Sequence, residues 1–165
     1  MVSGKVLKKA LKEKRVKAAV LDVWENEPAI DTDLLSLVDI ATPHIAGYSL
    51  DGKANGTAMS VNAVSEFFNM GLNNWYPKEI ACPPNTTIEL DGSGFTLQQI
   101  AGQTMLFTYD VLHDDNRFRK AVTSFEFQRN NYPVRREFDI FKVKLTNTDS
   151  EQNEVLKKLG FRVVV

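Results

Sequence analysis

The 165-residue chain has a single cysteine, Cys82, and only two histidines, His44 and His113. One cysteine excludes an intramolecular disulfide and agrees with a reducing compartment such as the cytoplasm. No apolar run reaches the roughly eighteen residues that cross a bilayer, and the N-terminal "MVSGKVLKKALKEKRV" lacks the apolar core of a signal peptide. A membrane is therefore not an expected partner. Neither charge is in excess: 20 Lys+Arg oppose 21 Asp+Glu, which removes the electrostatic footprint of a nucleic-acid binder. The local exception is the cluster Lys5, Lys8, Lys9, Lys12, Lys14, Arg15 and Lys17, read as the solvated face of a helix. No G-x-G-x-x-G turn occurs; "DGSGF" at 91–95 is glycine-rich but wrongly spaced for a phosphate cradle. No metal site is expected.

What is present suffices for a core, with 43% hydrophobic residues. Ser3 can cap a helix in which Val6, Leu7, Ala10 and Leu11 share a face. The apolar run "VKAAVLDVW" reads as a buried strand, "DTDLLSLV" as a helical turn capped by Asp31 or Thr32, and "DIATPHI" as a second short strand. From Ser49 to Met70, Leu50, Ala54, Ala58, Val61, Val64 or Ser65, and Phe68 recur at helical spacing. Gly52 and Gly56 inside this helix each cost about 1 kcal/mol relative to alanine, which suggests close packing at those positions.

The proline-rich stretch that follows reads as a linker containing the extended piece "TTIEL". Thr96 and Gln99 form a capping box for a helix that Asp114, Asp115 and Asn116 would end, with His113 near its C-terminal dipole. The spacing then predicts a shorter helix near "RFRKAVTSFEFQRN" and a β-α-β unit from "FKVKL", "EQNEVLKKLG" and "FRVVV".

His44 and Glu27 each follow an apolar strand. Side chains just past the carboxyl ends of parallel strands are where α/β proteins place ligand-contacting groups. If both strands share one parallel sheet, Glu27 can bond one imidazole nitrogen of His44, stabilise the imidazolium and leave the other nitrogen free for proton exchange. Asp22, by its spacing, is a turn or cap residue. Cys82 has no catalytic partner in sequence, and the pair Arg135 and Arg136 suits an interfacial or structural ion-pair role.

"AAVLDVWENEP" followed by "IATPHIAGYS" resembles the D-2-hydroxyacid dehydrogenase family, whose motifs D-V-x-x-x-E-P and T-P-H-x-x-G carry a catalytic glutamate and histidine. The later pieces "YDVLHDD", "NYPVRREF" and "KLGF" are similar to the C-terminal dimerisation region of one branch of that family. The resemblance implies NAD as cofactor and a phosphorylated 2-hydroxy acid as substrate. His44 would take the C2 hydroxyl proton as hydride leaves C2, and Glu27 would orient it. Asp22 would bond the nicotinamide carboxamide, and the backbone at Ala46 and Gly47 would approach the nicotinamide.

Two family features are missing: the glycine-rich pyrophosphate turn and the arginine of an N-x-x-R-G motif. The arginine would sit just before the first residues of this chain. Met1 is accordingly expected to be an internal methionine of a longer enzyme, and the chain alone to be inactive, or to serve only as a non-catalytic dimerisation module.

The expected fold class is α/β: the C-terminal part of a doubly wound NAD-binding sheet at 1–48, a long interdomain helix at 49–71, a linker at 72–94 and a small α+β dimerisation domain at 95–165. Half a sheet would expose Val20, Leu21, Val23, Ile40 and Ile45, which invites association. A homodimer is expected.

Overall fold

The first helix, α1 (Gly4–Lys12), begins after Ser3, but the Ser3 side chain makes no cap bond. Its first free N–H, that of Gly4, donates instead to Glu25 Oε2 at 2.9 Å. A computed structural model describes residues 2–164, so Val165, the last residue of the expected final strand, lies outside the described residues. After α1 come β1 (Val20–Leu21), α2 (Thr32–Leu35) and β2 (Ile40–Ala41). The two strands pair in parallel, Val20 opposite Ile40 and Leu21 opposite Ala41. With α2 between them, they form the expected β-α-β crossover. The strand is shorter than "VKAAVLDVW" suggested, and Val20 is 65% exposed, as expected of half a sheet. Asp31 caps α2, its carboxylate accepting from the N–H groups of Asp33 and Leu34.

The chain divides into two compact units, and the division is discontinuous. The first comprises the residues up to Ala46 together with Asp110–Tyr132; the second comprises Gly47–Tyr109 and Pro133–Val165. Segment 110–132, which the sequence pattern groups with the C-terminal domain, thus belongs to the first unit by its contacts.

The reason is visible in the first unit's core. Trp24, Leu34, Leu35, Val38 and Ala41 are covered by Phe118 and Phe125. Phe118 lies 6.0 Å from the Trp24 ring and edge-on to Phe125 at 5.5 Å, a geometry favoured by aromatic quadrupoles. These phenylalanines stand on α5 (Val111–Lys120) and α6 (Phe125–Asn130). Asp114 and Asp115 do not end a helix. The preceding helix, α4 (Leu97–Thr108), stops at extended Tyr109, and Asp110 caps a new one. His113 therefore lies in the first turn of α5, opposite to the expected end of a helix.

Asp114 and Asp115 are buried, and both are paired. Asp114 accepts from Arg117 at 2.7 Å and from the Tyr132 hydroxyl at 2.6 Å. Asp115 accepts from Arg119 and from the backbone N–H of Ala41 at 2.7 Å. Buried carboxylates are tolerated only with such partners. Ile45, expected among the exposed apolar residues, is 2% exposed because its turn folds inward, whereas Val23 does stay exposed.

In the second unit, α3 (Leu50–Phe68) starts at Ser49, whose Oγ accepts from Gly52 N, and ends at left-handed Asn69. Ala54, Ala58 and Ser65 are its buried positions, while Val64 and Phe68 are exposed, so its covered stripe is narrower than the periodicity suggested. A Cβ on Gly52 would come within 2.5 Å of the Gly47 carbonyl oxygen. Gly52 is thus a close-approach residue; Gly56 faces open space and is not.

The remaining strands β3 (Thr87–Asp91), β4 (Lys142–Thr146) and β5 (Arg162–Val164) form a parallel sheet in that order, with α7 (Ser150–Lys158) between β4 and β5. "TTIEL" is extended as read, and it forms an edge strand of this sheet. Its partner β4 alternates as read, with Val143 and Leu145 buried and Lys142, Lys144 and Thr146 exposed. Ile88, Ile100, Phe141, Val143, Leu145, Leu156 and Phe161 make a continuous core on one face.

Candidate functional site

Within the first unit, the loops after β1 and β2 meet. Glu27 and His44 come together as the spacing anticipated: His44 Nδ1 lies 2.7 Å from Glu27 Oε2. An ionised carboxylate can only accept, so Nδ1 donates in this contact, and Nε2 is the nitrogen left for exchange with a ligand. The imidazole is 40% exposed while Glu27 is only 19% exposed. The reactive edge is open, and its partner is held from behind. The second oxygen of Glu27 accepts the backbone N–H of Trp24 at 2.7 Å, which fixes the carboxylate plane.

Asp22 organises the histidine turn. Its Oδ1 accepts from Thr42 Oγ1 and from Ile45 N, each at 2.7 Å, and its Oδ2 accepts from Ala46 N at 3.0 Å. This is the turn-capping role that its spacing suggested. A carboxylate has about four acceptor positions, so three bonds leave one on Oδ2 for a ligand donor such as a carboxamide. The backbone carbonyl of Asp22 also accepts from His44 N at 2.8 Å. His44 itself sits at φ +54°, in the left-handed region that few non-glycine residues occupy.

Ala46 closes this turn, and its neighbours Leu21, Asp22, Val23, Trp24 and Glu25 line a concave surface. Gly47, the other backbone contact expected for a nicotinamide, is the first residue of the second unit and adopts φ +75°.

Two residues of this arrangement escaped the sequence reading. Trp24 is 5% exposed and donates its indole N–H to the Thr42 carbonyl at 2.9 Å. Its place two residues after Asp22 and three before Glu27 was a usable signal. Arg129 donates to the His44 carbonyl across 85 residues of sequence, for which no local pattern exists.

Arg136 belongs to the second unit and to a different assembly. Its guanidinium grips Asp51 through two bonds, Nε to Oδ2 at 2.8 Å and a terminal nitrogen to Oδ1 at 2.9 Å. The same carboxylate accepts from Glu137 N at 2.8 Å. The bonded guanidinium holds the Asp51 carboxyl below its ordinary range. This is a structural ion pair. Arg135 stacks instead over Tyr109, 4.4 Å from the ring centroid.

Comparison with known proteins gives the arrangement a context. Residues 1–46 match the family model described as D-isomer specific 2-hydroxyacid dehydrogenase, NAD binding domain. Residues 81–160 match a second, described as a domain of unknown function, DUF3410. A protein of Porphyromonas gingivalis is 41% identical over 153 residues, 93% of this chain and 40% of its own length. One of Edwardsiella ictaluri is 37% identical over 164 residues, 98% of this chain and 43% of its own. These relatives are erythronate-4-phosphate dehydrogenases. A third enzyme of that name, from Pseudomonas putida, is 35% identical over 179 residues, 99% of this chain and 45% of its own length.

The chain thus spans less than half the length of the erythronate-4-phosphate dehydrogenases that it matches. The likeness runs through both units, and the matched NAD-binding segment contains Asp22, Glu27 and His44. Among the described residues, no helix is long and apolar enough to cross a membrane.

Proposed function

We propose that this chain is the C-terminal part of an NAD-dependent dehydrogenase that oxidises 4-phospho-D-erythronate to the corresponding 2-oxo acid in the cytoplasm. The observation that carries the reading is the His44–Glu27 pair at 2.7 Å, set past the carboxyl ends of two parallel strands. His44 Nε2 accepts the proton of the substrate's C2 hydroxyl. Glu27 stabilises the imidazolium so formed and prevents rotation of the ring. NAD, when bound, supplies the acceptor for the C2 hydride.

The residues present fit the nicotinamide end of that cofactor. Asp22 retains an acceptor position beside the exposed side chain of Val23, and its Oδ2 holds the backbone N–H of Ala46 in the same loop. The residues present do not supply a pyrophosphate cradle, which requires a glycine-rich turn at a helix N-terminus, nor the arginine fork that would grip a substrate carboxylate.

The polypeptide alone is therefore expected to produce no NADH from NAD and 4-phospho-D-erythronate. Joined in frame behind the N-terminal part of the Porphyromonas gingivalis enzyme, it is expected to restore turnover. A folded chimera that binds NAD but remains inactive would refute this function.

The C-terminal region, from about residue 95 onward, would serve to dimerise the enzyme. Light scattering of the isolated chain at micromolar concentration should give twice the mass of 18.6 kDa; a monodisperse monomer would contradict dimerisation.

A further inference from the structure

His44 owes its conformation to more than its own loop. Its N–H is held by Asp22 O at 2.8 Å, and its carbonyl accepts from Arg129 Nε at 3.1 Å. Arg129 is on α6, inside the stretch matched by the domain of unknown function. The guanidinium also lies 6.0 Å from the Phe125 ring centroid, over a side chain buried in the first unit's core. Three further bonds from α5 support the same strand and its approach: Asp115 accepts the N–H of Ala41, and Arg119 donates to the carbonyls of Leu35 and Val38 at 2.7 and 2.9 Å. A residue held at positive φ persists only where its surroundings over-determine it. Here those surroundings come from two distant parts of the chain.

We propose that Arg129 is a positioning residue for His44: by holding the histidine carbonyl it fixes the left-handed backbone from which the imidazole reaches Glu27. Part of the domain of unknown function would then complete the catalytic strand rather than act apart from it. The proposal rests on the reading of His44 as the proton acceptor, but its physical content is testable without turnover.

The test uses the 15N-labelled 165-residue chain with Arg129→Met, which keeps the aliphatic stem and removes the donors. The indole N–H signal of Trp24, bonded to Thr42 O, reports whether the first unit is folded. The backbone amides of His44 and Ile45, and the downfield Nδ1 proton of a carboxylate-bonded imidazole, report on the site.

The expected result is a retained Trp24 signal, loss or broadening of the Nδ1 proton, and amide exchange at His44 faster by about tenfold or more, the scale of a lost hydrogen bond to a charged group. Arg129→Lys, which keeps a cationic donor, should lie between wild type and the methionine variant. Unchanged His44 signals in Arg129→Met would overturn the proposal. So would loss of the Trp24 signal, because the side chain would then hold the whole unit rather than the histidine. A lysine variant no nearer wild type than methionine would count against the donor.

In the active chimera, Arg129→Met should lower kcat with KM nearly unchanged. A chimera inactive even with Arg129 present would sink the assigned reaction and leave the resonance test of the tether intact.

Discussion

Arg136→Ala is expected to destabilise the second unit by about 3 kcal/mol, the lower end of the range for breaking a buried pair, because a carboxylate is left without its cation. The side chains of Arg136 and Asp51 are only 9% and 14% exposed, and the fork satisfies both carboxylate oxygens. After truncation Asp51 keeps the N–H of Glu137 as an acceptor contact, which is too little to hold a desolvated charge. The loss would appear as a lower denaturant midpoint followed by the fluorescence of Trp75 in a Trp24→Phe background. A change under about 1 kcal/mol would show that water replaces the guanidinium freely.

The same pair sets a pH dependence. Because Arg136 lowers the Asp51 carboxyl below its ordinary value of 3.8, the folded state binds fewer protons there than the unfolded chain does. That contribution is fully present above the unfolded value and is lost as pH falls through the folded one. The stability gap between wild type and Arg136→Ala should therefore stay constant above the ordinary carboxyl value of 3.8 and narrow only as the pH falls below it.

In the active chimera, His44→Asn is expected to lower kcat by about 10²–10⁴, the usual contribution of a positioned general base, with little change in KM. Glu27→Gln should cost less but more than a mere change of charge. Glu27 accepts two N–H groups, one from Trp24 and one from His44, on its two oxygens. Glutamine has one carbonyl oxygen and an NH₂ that can only donate, so one of those partners must be abandoned or the imidazole must adopt the other tautomer. Full activity in His44→Asn would remove the histidine from the chemistry altogether.

The pairing of Glu27 with His44 was legible because it depends on local facts. Both residues lie a few positions after short apolar strands, and one intervening helix makes those strands parallel. Asp22 was legible as a turn residue for a similar reason: its partners Thr42, Ile45 and Ala46 sit in the neighbouring strand's loop. "FKVKL" announced its half-exposed face directly through alternation.

The misread elements have non-local causes. Asp114 and Asp115 looked like a helix stop because acidic residues are seldom buried, yet partners from Ala41 to Tyr132 satisfy them. Nothing near "TTIEL" indicates that its neighbour in the sheet lies about fifty residues later. The left-handed backbone of His44 had no signal either, since only the completed turn makes that conformation necessary.

The discontinuity of the first unit also governs how the protein is born. Phe118 and Phe125, which close over Trp24 and Leu34, leave the ribosome long after the strands that they cover. Translation at about 5–20 residues per second leaves the nascent β-α-β layer waiting several seconds, bare on one side, while the intervening stretch from Gly47 to Tyr109 is synthesised. During that interval Trp24 and Leu34 lack the two phenylalanines that cover them. Premature termination anywhere before α5 would release the layer without its lid.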